Sequence, residues 1–170
     1  MQGIKMDSEQ QKSSEKLQKI LKSYQRYYNV ITENVPAPFT AYGEFLSHSE
    51  QYFLVKEAKI TEINSNEYVY FYTTDSITLE KIQELSQFAW NNGLAKVKPD
   101  FSHRNSDITL IIISDNIGED VLKQCKKIKF SKSYAFSLKG WSNFRLAVYC
   151  TKTNRTSSNR LGRDLRKLFT

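Results

Sequence analysis

Between Asp107 and Ser114 the chain reads Asp-Ile-Thr-Leu-Ile-Ile-Ile-Ser, and its apolar side chains fall on both parities. Successive side chains of a strand point to opposite faces, so this segment demands cover above and below. Its branched isoleucines favour a strand over a helix. The apolar run from Leu110 to Ile113 is far too short to cross a bilayer. A chain built around such a strand needs a sheet with this segment at its centre and other elements packed on both sides.

The flanking sequence supplies those elements. Residues 1–13 are polar and are expected to be disordered. Over residues 14–34 an amphipathic helix is expected, because Leu17, Ile20, Leu21, Tyr24, Tyr28 and Ile31 recur at helical spacing. Val35-Pro-Ala-Pro38 ends it, since the residue before a proline avoids helical backbone. Three strands follow near Thr40–Ser47, Tyr52–Ile63 and Glu67–Thr73, with Asn64-Ser65-Asn66 as the turn between the last two. Ser76 is read as the cap of a helix that buries Ile82, Leu85 and Ala89 and stops at Gly93. A short helix near Ile117–Lys126, opened by Asp115 or Asn116, comes after the central strand.

From Lys127 to Leu138 the residues Ile128, Phe130, Tyr134, Phe136 and Leu138 share one parity, and Lys127, Lys129, Ser131, Ser133 and Ser137 the other. Lys139-Gly140 reads as a turn into a return strand with Phe144, Leu146, Val148 and Cys150 inward and Asn143, Arg145 and Tyr149 outward. The polar loop Thr151–Asn159 leads to a last helix burying Leu161, Leu165 and Leu168. The expected order is α-βββ-α-β-α-ββ-α, an α+β fold with a mixed, largely antiparallel sheet flanked by helices, over a single domain at 38–170. With 170 residues and 39% apolar content the chain can bury a full core.

Charge is distributed unevenly. Residues 121–170 hold 13 Lys and Arg against one acid, Asp164, whereas residues 1–120 carry a charge of −5. Such segregation suits a polyanionic partner. On the hairpin, Lys127, Lys129, Lys139 and Arg145 would contact phosphates and Tyr149 would stack on a base, joined by Arg160, Arg163 and Arg166 from the last helix. The bland alternative is an ordinary solvated face, although solubilising surfaces usually mix signs. A second alternative is a module whose basic third docks an acidic protein, with the helical stripe 17–31 as a homo-oligomer contact.

Catalytic readings are thinner. Glu57-Ala58-Lys59, with Glu44 on the preceding strand, resembles the E-x-K part of the PD-(D/E)xK nuclease motif. That resemblance implies two carboxylates holding Mg²⁺ and a lysine beside the attacking water. The strand Glu67–Thr73 interrupts the pattern, because the family's motif strand leads straight into its helix. His103 with Asp100 and Asp107 forms a weak metal or acid–base candidate, for which a capped loop is the plainer account. The six glycines form no phosphate loop, and G-x-S-x-G and H-E-x-x-H are absent. No cofactor is expected outside the Mg²⁺-dependent reading. Cys125 and Cys150 form neither a disulfide framework nor a zinc signature, and Cys150 is expected to be a buried small hydrophobe. With no leader of signal length, the chain is expected to be cytoplasmic and free of membrane.

The stretches Glu62-Ile-Asn-Ser-Asn-Glu-Tyr-Val-Tyr-Phe71, Lys98-Pro-Asp-Phe-Ser-His103, Ser133-Tyr-Ala-Phe-Ser-Leu-Lys-Gly-Trp141, Phe144-Arg-Leu-Ala-Val148 and Asn159-Arg-Leu-Gly162 resemble an uncharacterised family of prokaryotic proteins classed as a domain of unknown function. The resemblance runs from about Pro38 to Phe169 and leaves the N-terminal helix outside. It implies a cytoplasmic prokaryotic protein and carries no activity.

Overall fold

The computed structural model describes residues 3–47 and 64–170. Helix α1 (Gly3–Tyr24) is followed by strands β1 (Asn29–Ile31), β2 (Ala41–Phe45) and β3 (Asn64–Ile77). Helix α2 (Leu79–Lys96), strand β4 (His103–Ile117) and helix α3 (Glu119–Cys125) come next. Strands β5 (Ser131–Ser133), β6 (Trp141–Cys150) and β7 (Arg155–Ser158) and a terminal 3-10 helix (Arg163–Phe169) complete the chain. Seven strands form one sheet in the order β1-β2-β3-β4-β6-β5, with β7 also paired to β6. Four of the six pairings are antiparallel. The two long central ones, β3 with β4 and β4 with β6, are parallel. The fold is α+β with a mixed sheet.

The apolar strand sits where its pattern requires. Ile108, Leu110 and Ile112 face one core together with Tyr70, Leu85, Trp90, Phe144 and Leu146. Ile111 and Ile113 face the other, against Leu17, Ile20, Leu21 and Tyr24 of α1, Val69, Phe71, Tyr149, Leu165 and Phe169. Helices α2 and α3 therefore cover one face, and α1 with the terminal 3-10 helix covers the other. The helical stripe from Leu17 to Tyr24 is spent inside the chain, 2–7% exposed. It is not open as an oligomer contact, because burying it against its own sheet removes the apolar area that a partner would need.

Several boundaries differ from expectation for identifiable reasons. Helix α1 begins at Gly3, within the segment expected to be disordered, and ends at Tyr24. Residues 29–31, expected to be helical, pair with β2 instead. Asn64-Ser65-Asn66 is the start of β3 and not a turn, because the ladder with β4 outweighs its turn chemistry. Ser65 Oγ donates to Asn105 Oδ1 (2.6 Å), and Asn66 Oδ1 accepts from the Ser47 amide (3.2 Å). Thr78, not Ser76, caps α2, accepting from Lys81 N. Asp115 and Asn116 belong to β4, so Gly118 precedes α3. Gly93 lies inside α2 and does not end it: a Cβ there would meet three side-chain carbons of Ile108 at 2.6–2.8 Å, so helix and strand touch because glycine is present. The strand expected over Tyr52–Ile63 lies outside the described residues.

The C-terminal third departs furthest. The hairpin pairs only Ser131–Ser133 with Trp141–Asn143. Ile128 and Phe130 still pack inward, and Phe144 N–H donates to Phe130 O (3.0 Å). Past Ser133 the parity fails: Phe136 is fully exposed and Leu138 is 71% exposed. The loop read as Thr151–Asn159 contains β7, antiparallel to β6. The last helix is a short 3-10 segment that buries Leu165 and Phe169 and leaves Leu161 exposed. Among the described residues no helix is long and apolar enough to cross a membrane.

Candidate functional site

The fold divides the basic residues among three places. Lys127 and Lys129 follow α3 and line a groove of about 380 Å³ with Gln83, Gln87, Gln124 and Phe130, on the sheet face covered by α2. Arg163, Arg166 and Lys167 of the 3-10 helix line an open depression of about 600 Å³ with Thr156 and Thr170, on the opposite face. Lys139 lies beside the loop before β4, its Nζ 5.0 Å from the centroid of the Phe101 ring. Arg160 is exposed just before the 3-10 helix. The hairpin lysines and the terminal arginines thus do not share one face, because β7 carries the chain past the edge of β6 before the 3-10 helix returns under α1.

Arg145 is no phosphate contact. Its Nη1 is 2.9 Å from Glu67 Oε1 and 3.9 Å from Asp107 Oδ2, and its Nη2 is 2.6 Å from Asp164 Oδ2. Its Nε donates to Leu161 O at 3.2 Å, so the side chain, 14% exposed, is used within the fold. The register explains the convergence. Glu67 pairs with Asp107 on β3 and β4, and Thr109 pairs with Arg145 on β4 and β6, all on the α1 face. Thr109 Oγ1 donates to Glu67 Oε1 (2.6 Å), and the Tyr28 hydroxyl donates to Glu67 Oε2.

Three carboxylates around one guanidinium leave an excess of negative charge. Burial, countered in part by Arg145 and reinforced by Glu67, pushes Asp107 up to about 6. Burial would also raise Asp164, but its bond to Arg145 prevails and holds it below the usual carboxylate range. Arg145 bridges Glu67 of β3 and Asp164 of the 3-10 helix, which makes the cluster a clamp tying the terminal segment to the sheet.

Tyr149 is buried instead of displayed: its ring stacks on Phe169 (4.9 Å, 6° between planes) and its hydroxyl donates to Asn154 Oδ1 (2.8 Å). It faces in because α1 and the 3-10 helix cover that parity of β6 as well. Cys150 is buried and donates to Asp115 O (3.3 Å).

The weak metal set does not converge. Asp100 accepts from the Ser102 amide and hydroxyl and from the His103 amide, which makes it the cap of its own turn. His103 Nδ1 lies 2.7 Å from Lys139 O and Nε2 lies 2.9 Å from Ser106 Oγ. A carbonyl only accepts, so Nδ1 carries a proton and donates to Lys139 O. Asp107 faces Arg145 instead. Among the described residues no group of three or more His, Cys, Asp or Glu could hold a metal. Glu44 accepts from the Tyr42 hydroxyl (2.9 Å), and its nuclease partners Glu57 and Lys59 lie outside the described residues.

Two features escaped the sequence reading. Asn159, expected at the end of a polar loop, is buried and uses its whole amide. Oδ1 accepts from Leu146 N (3.0 Å) and Gly162 N (2.8 Å), while Nδ2 donates to Ile128 O (3.1 Å) and Phe144 O (2.9 Å). The polar stretch before it gave no sign that this side chain would be buried. The second is an exposed tip carrying Phe101, Phe136 and Leu138. The apolar parity runs unbroken through Tyr134, Phe136 and Leu138, so the pattern pointed inward and gave no signal for it.

A family model for a domain of unknown function, DUF8052, matches residues 12–170. No curated protein and no solved structure matches the chain. The match starts well before Pro38 and takes in the stripe of α1 that seals one face of the sheet, so the N-terminal helix is part of the domain and not an appendage. The chain belongs to the DUF8052 family.

Proposed function

We propose that this protein is a non-catalytic polyanion-binding module whose partner is nucleic acid. One observation carries the reading: the positive charge of the C-terminal third is left largely uncompensated by the fold. Arg145 is neutralised by its carboxylates, Arg155 pairs with Glu119, and Lys123 with Asp120. Among the described residues, Lys127, Lys129, Lys139, Arg160, Arg163 and Arg166 make no ion pair. Unpaired cations attract a chain of phosphates and release its counterions on contact.

Of the two basic surfaces, the groove of Lys127 and Lys129 suits this role better. Three glutamine amides beside the lysines add neutral donors for phosphate and sugar oxygens. The chain runs from that groove directly into Lys132 and Lys139. The depression lined by Arg163 and Arg166 includes the carboxylate of Asp164.

The reading predicts that Lys127→Glu with Lys129→Glu weakens binding to a labelled oligonucleotide at least tenfold at low salt. Arg163→Glu with Arg166→Glu, on the other face, should have the smaller effect. Equal affinity of wild type and the Lys127/Lys129 variant would refute it.

A further inference from the structure

We infer that the exposed tip formed by the loops before β4 and between β5 and β6 stacks on unpaired bases, which makes the partner a single-stranded nucleic acid. The inference rests on the polyanion reading above and adds a site and a ligand class to it.

The tip is a rigid display. Tyr134 N–H donates to Gly140 O (2.9 Å), Lys139 N–H to Tyr134 O (3.2 Å), Leu138 N–H to Ala135 O (3.0 Å) and Gly140 N–H to Ser137 O (3.2 Å). Ala135, Phe136 and Ser137 occupy left-handed backbone in succession, with φ of 48°, 52° and 70°. Each costs about 1–2 kcal/mol for a residue with a side chain, so something must hold them there. His103 does so through its bond to Lys139 O. Gly140, at φ 76°, lies so close to β4 that a Cβ would fall 2.1 Å from Arg104 O.

This conformation does not serve the core. It turns Phe136 wholly into solvent, leaves Leu138 71% exposed, and sets them on the same tip as Phe101, 80% exposed. A fixed loop presents these groups without further loss of freedom on binding.

The chemistry around the rings selects the ligand. Lys139 lies against the Phe101 ring, and Lys132 Nζ is 5.5 Å from the centroid of the Tyr134 ring. No carboxylate occurs between Val121 and Asn143, and the one beside Phe101, Asp100, is engaged in capping its own turn. Rings with cations beside them take a base face and its phosphate together. A duplex hides its base faces in its own stack, and a convex tip cannot reach them; a single strand offers them freely. A bilayer would have to take up the exposed hydroxyls of Ser133 and Ser137, bonded to each other at 2.9 Å, along with the apolar side chains. Stacking on individual rings does not.

Fluorescence anisotropy with a labelled 12-nucleotide oligo-uridine, a duplex of equal length and heparin, with sedimentation of phosphatidylserine vesicles, tests the site. Wild type should favour the single strand over the duplex. Phe101→Ala with Phe136→Ala should weaken single-strand binding roughly tenfold or more. It should leave both the thermal midpoint and the salt slope unchanged, because no core contact and no charge is lost. Lys139→Gln should lower the slope by about one. If the double alanine variant binds the single strand as wild type does, the tip is not the site, while the polyanion reading stands. Absence of binding to all three polyanions at low salt would end both readings. Sedimentation with vesicles without oligonucleotide binding would overturn this one in favour of a lipid surface.

Discussion

Replacing Asn159 should destabilise the protein more than any exposed substitution, and the reason lies along one edge of β6. Beyond β4, that strand is paired by β5 at Trp141–Asn143 and by β7 at Ala147–Cys150. Between them, at Phe144 and Leu146, no strand among the described residues lies alongside. The Asn159 side chain fills the gap, taking the Leu146 amide and the Phe144 carbonyl while also holding Ile128 O and Gly162 N. Asn159→Ala removes four buried hydrogen bonds. At roughly 1 kcal/mol each the loss is about 4 kcal/mol, more if the stranded amides find no water. Against a total of about 5–15 kcal/mol this is severe. For a chain of this size it lowers the thermal midpoint by about 8–16 °C, read by circular dichroism. Asn159→Asp sharpens the test, because it keeps the shape but turns a carboxylate toward two carbonyls. That raises the folded-state pKa of the new acid, so the variant is weakest at neutral pH and gains stability as pH falls from 7 toward 4. An alanine variant within about 0.5 kcal/mol of wild type would refute the reasoning. So would an aspartate variant whose stability ignores pH.

Gly93→Ala sets helix propensity against packing. Alanine gains about 1 kcal/mol in a helix, but its Cβ would lie within 3 Å of three carbons of the fully buried Ile108, an overpacking worth about 1–3 kcal/mol. Urea unfolding should show net destabilisation, smaller in an Ile108→Val background, whereas a stabilised single variant would contradict the close approach. Asp107 is raised to about 6 in the folded state, above the ordinary value of 3.8. Its ionisation therefore opposes folding above that pH, and the penalty fades as pH falls from about 6 toward 4. Asp107→Asn should raise the midpoint at pH 8, by at most about 3 kcal/mol in stability, and have little effect at pH 4. A destabilised variant at pH 8 would show that the Arg145 contact outweighs the burial.

The sequence is most legible where burial alone decides structure. The isoleucine run of β4, the Leu17–Tyr24 stripe and the inward parity of Phe144, Leu146 and Val148 are set by apolar spacing, and the fold uses them accordingly. Legibility fails where a partner distant in sequence decides. Asn64-Ser65-Asn66 is turn chemistry until β4 offers a ladder. Gly93 is a helix stop until Ile108 is known to press on it. Arg145 and Tyr149 read as outward on a strand with one solvated face, and that inference broke because α1 and the 3-10 helix cover the second face. The charge asymmetry was plain in the sequence, but its division between two faces was not, since it depends on where β7 returns the chain.

The most direct test of the account is the salt dependence of binding to a labelled single-stranded oligonucleotide. The account predicts measurable affinity at low ionic strength that falls linearly, on logarithmic axes, as salt rises. The slope should correspond to roughly three to five phosphate contacts, about the number of lysines between Lys127 and Lys139. No binding at low salt, or affinity indifferent to salt, would contradict it and leave the basic third as a solvated surface.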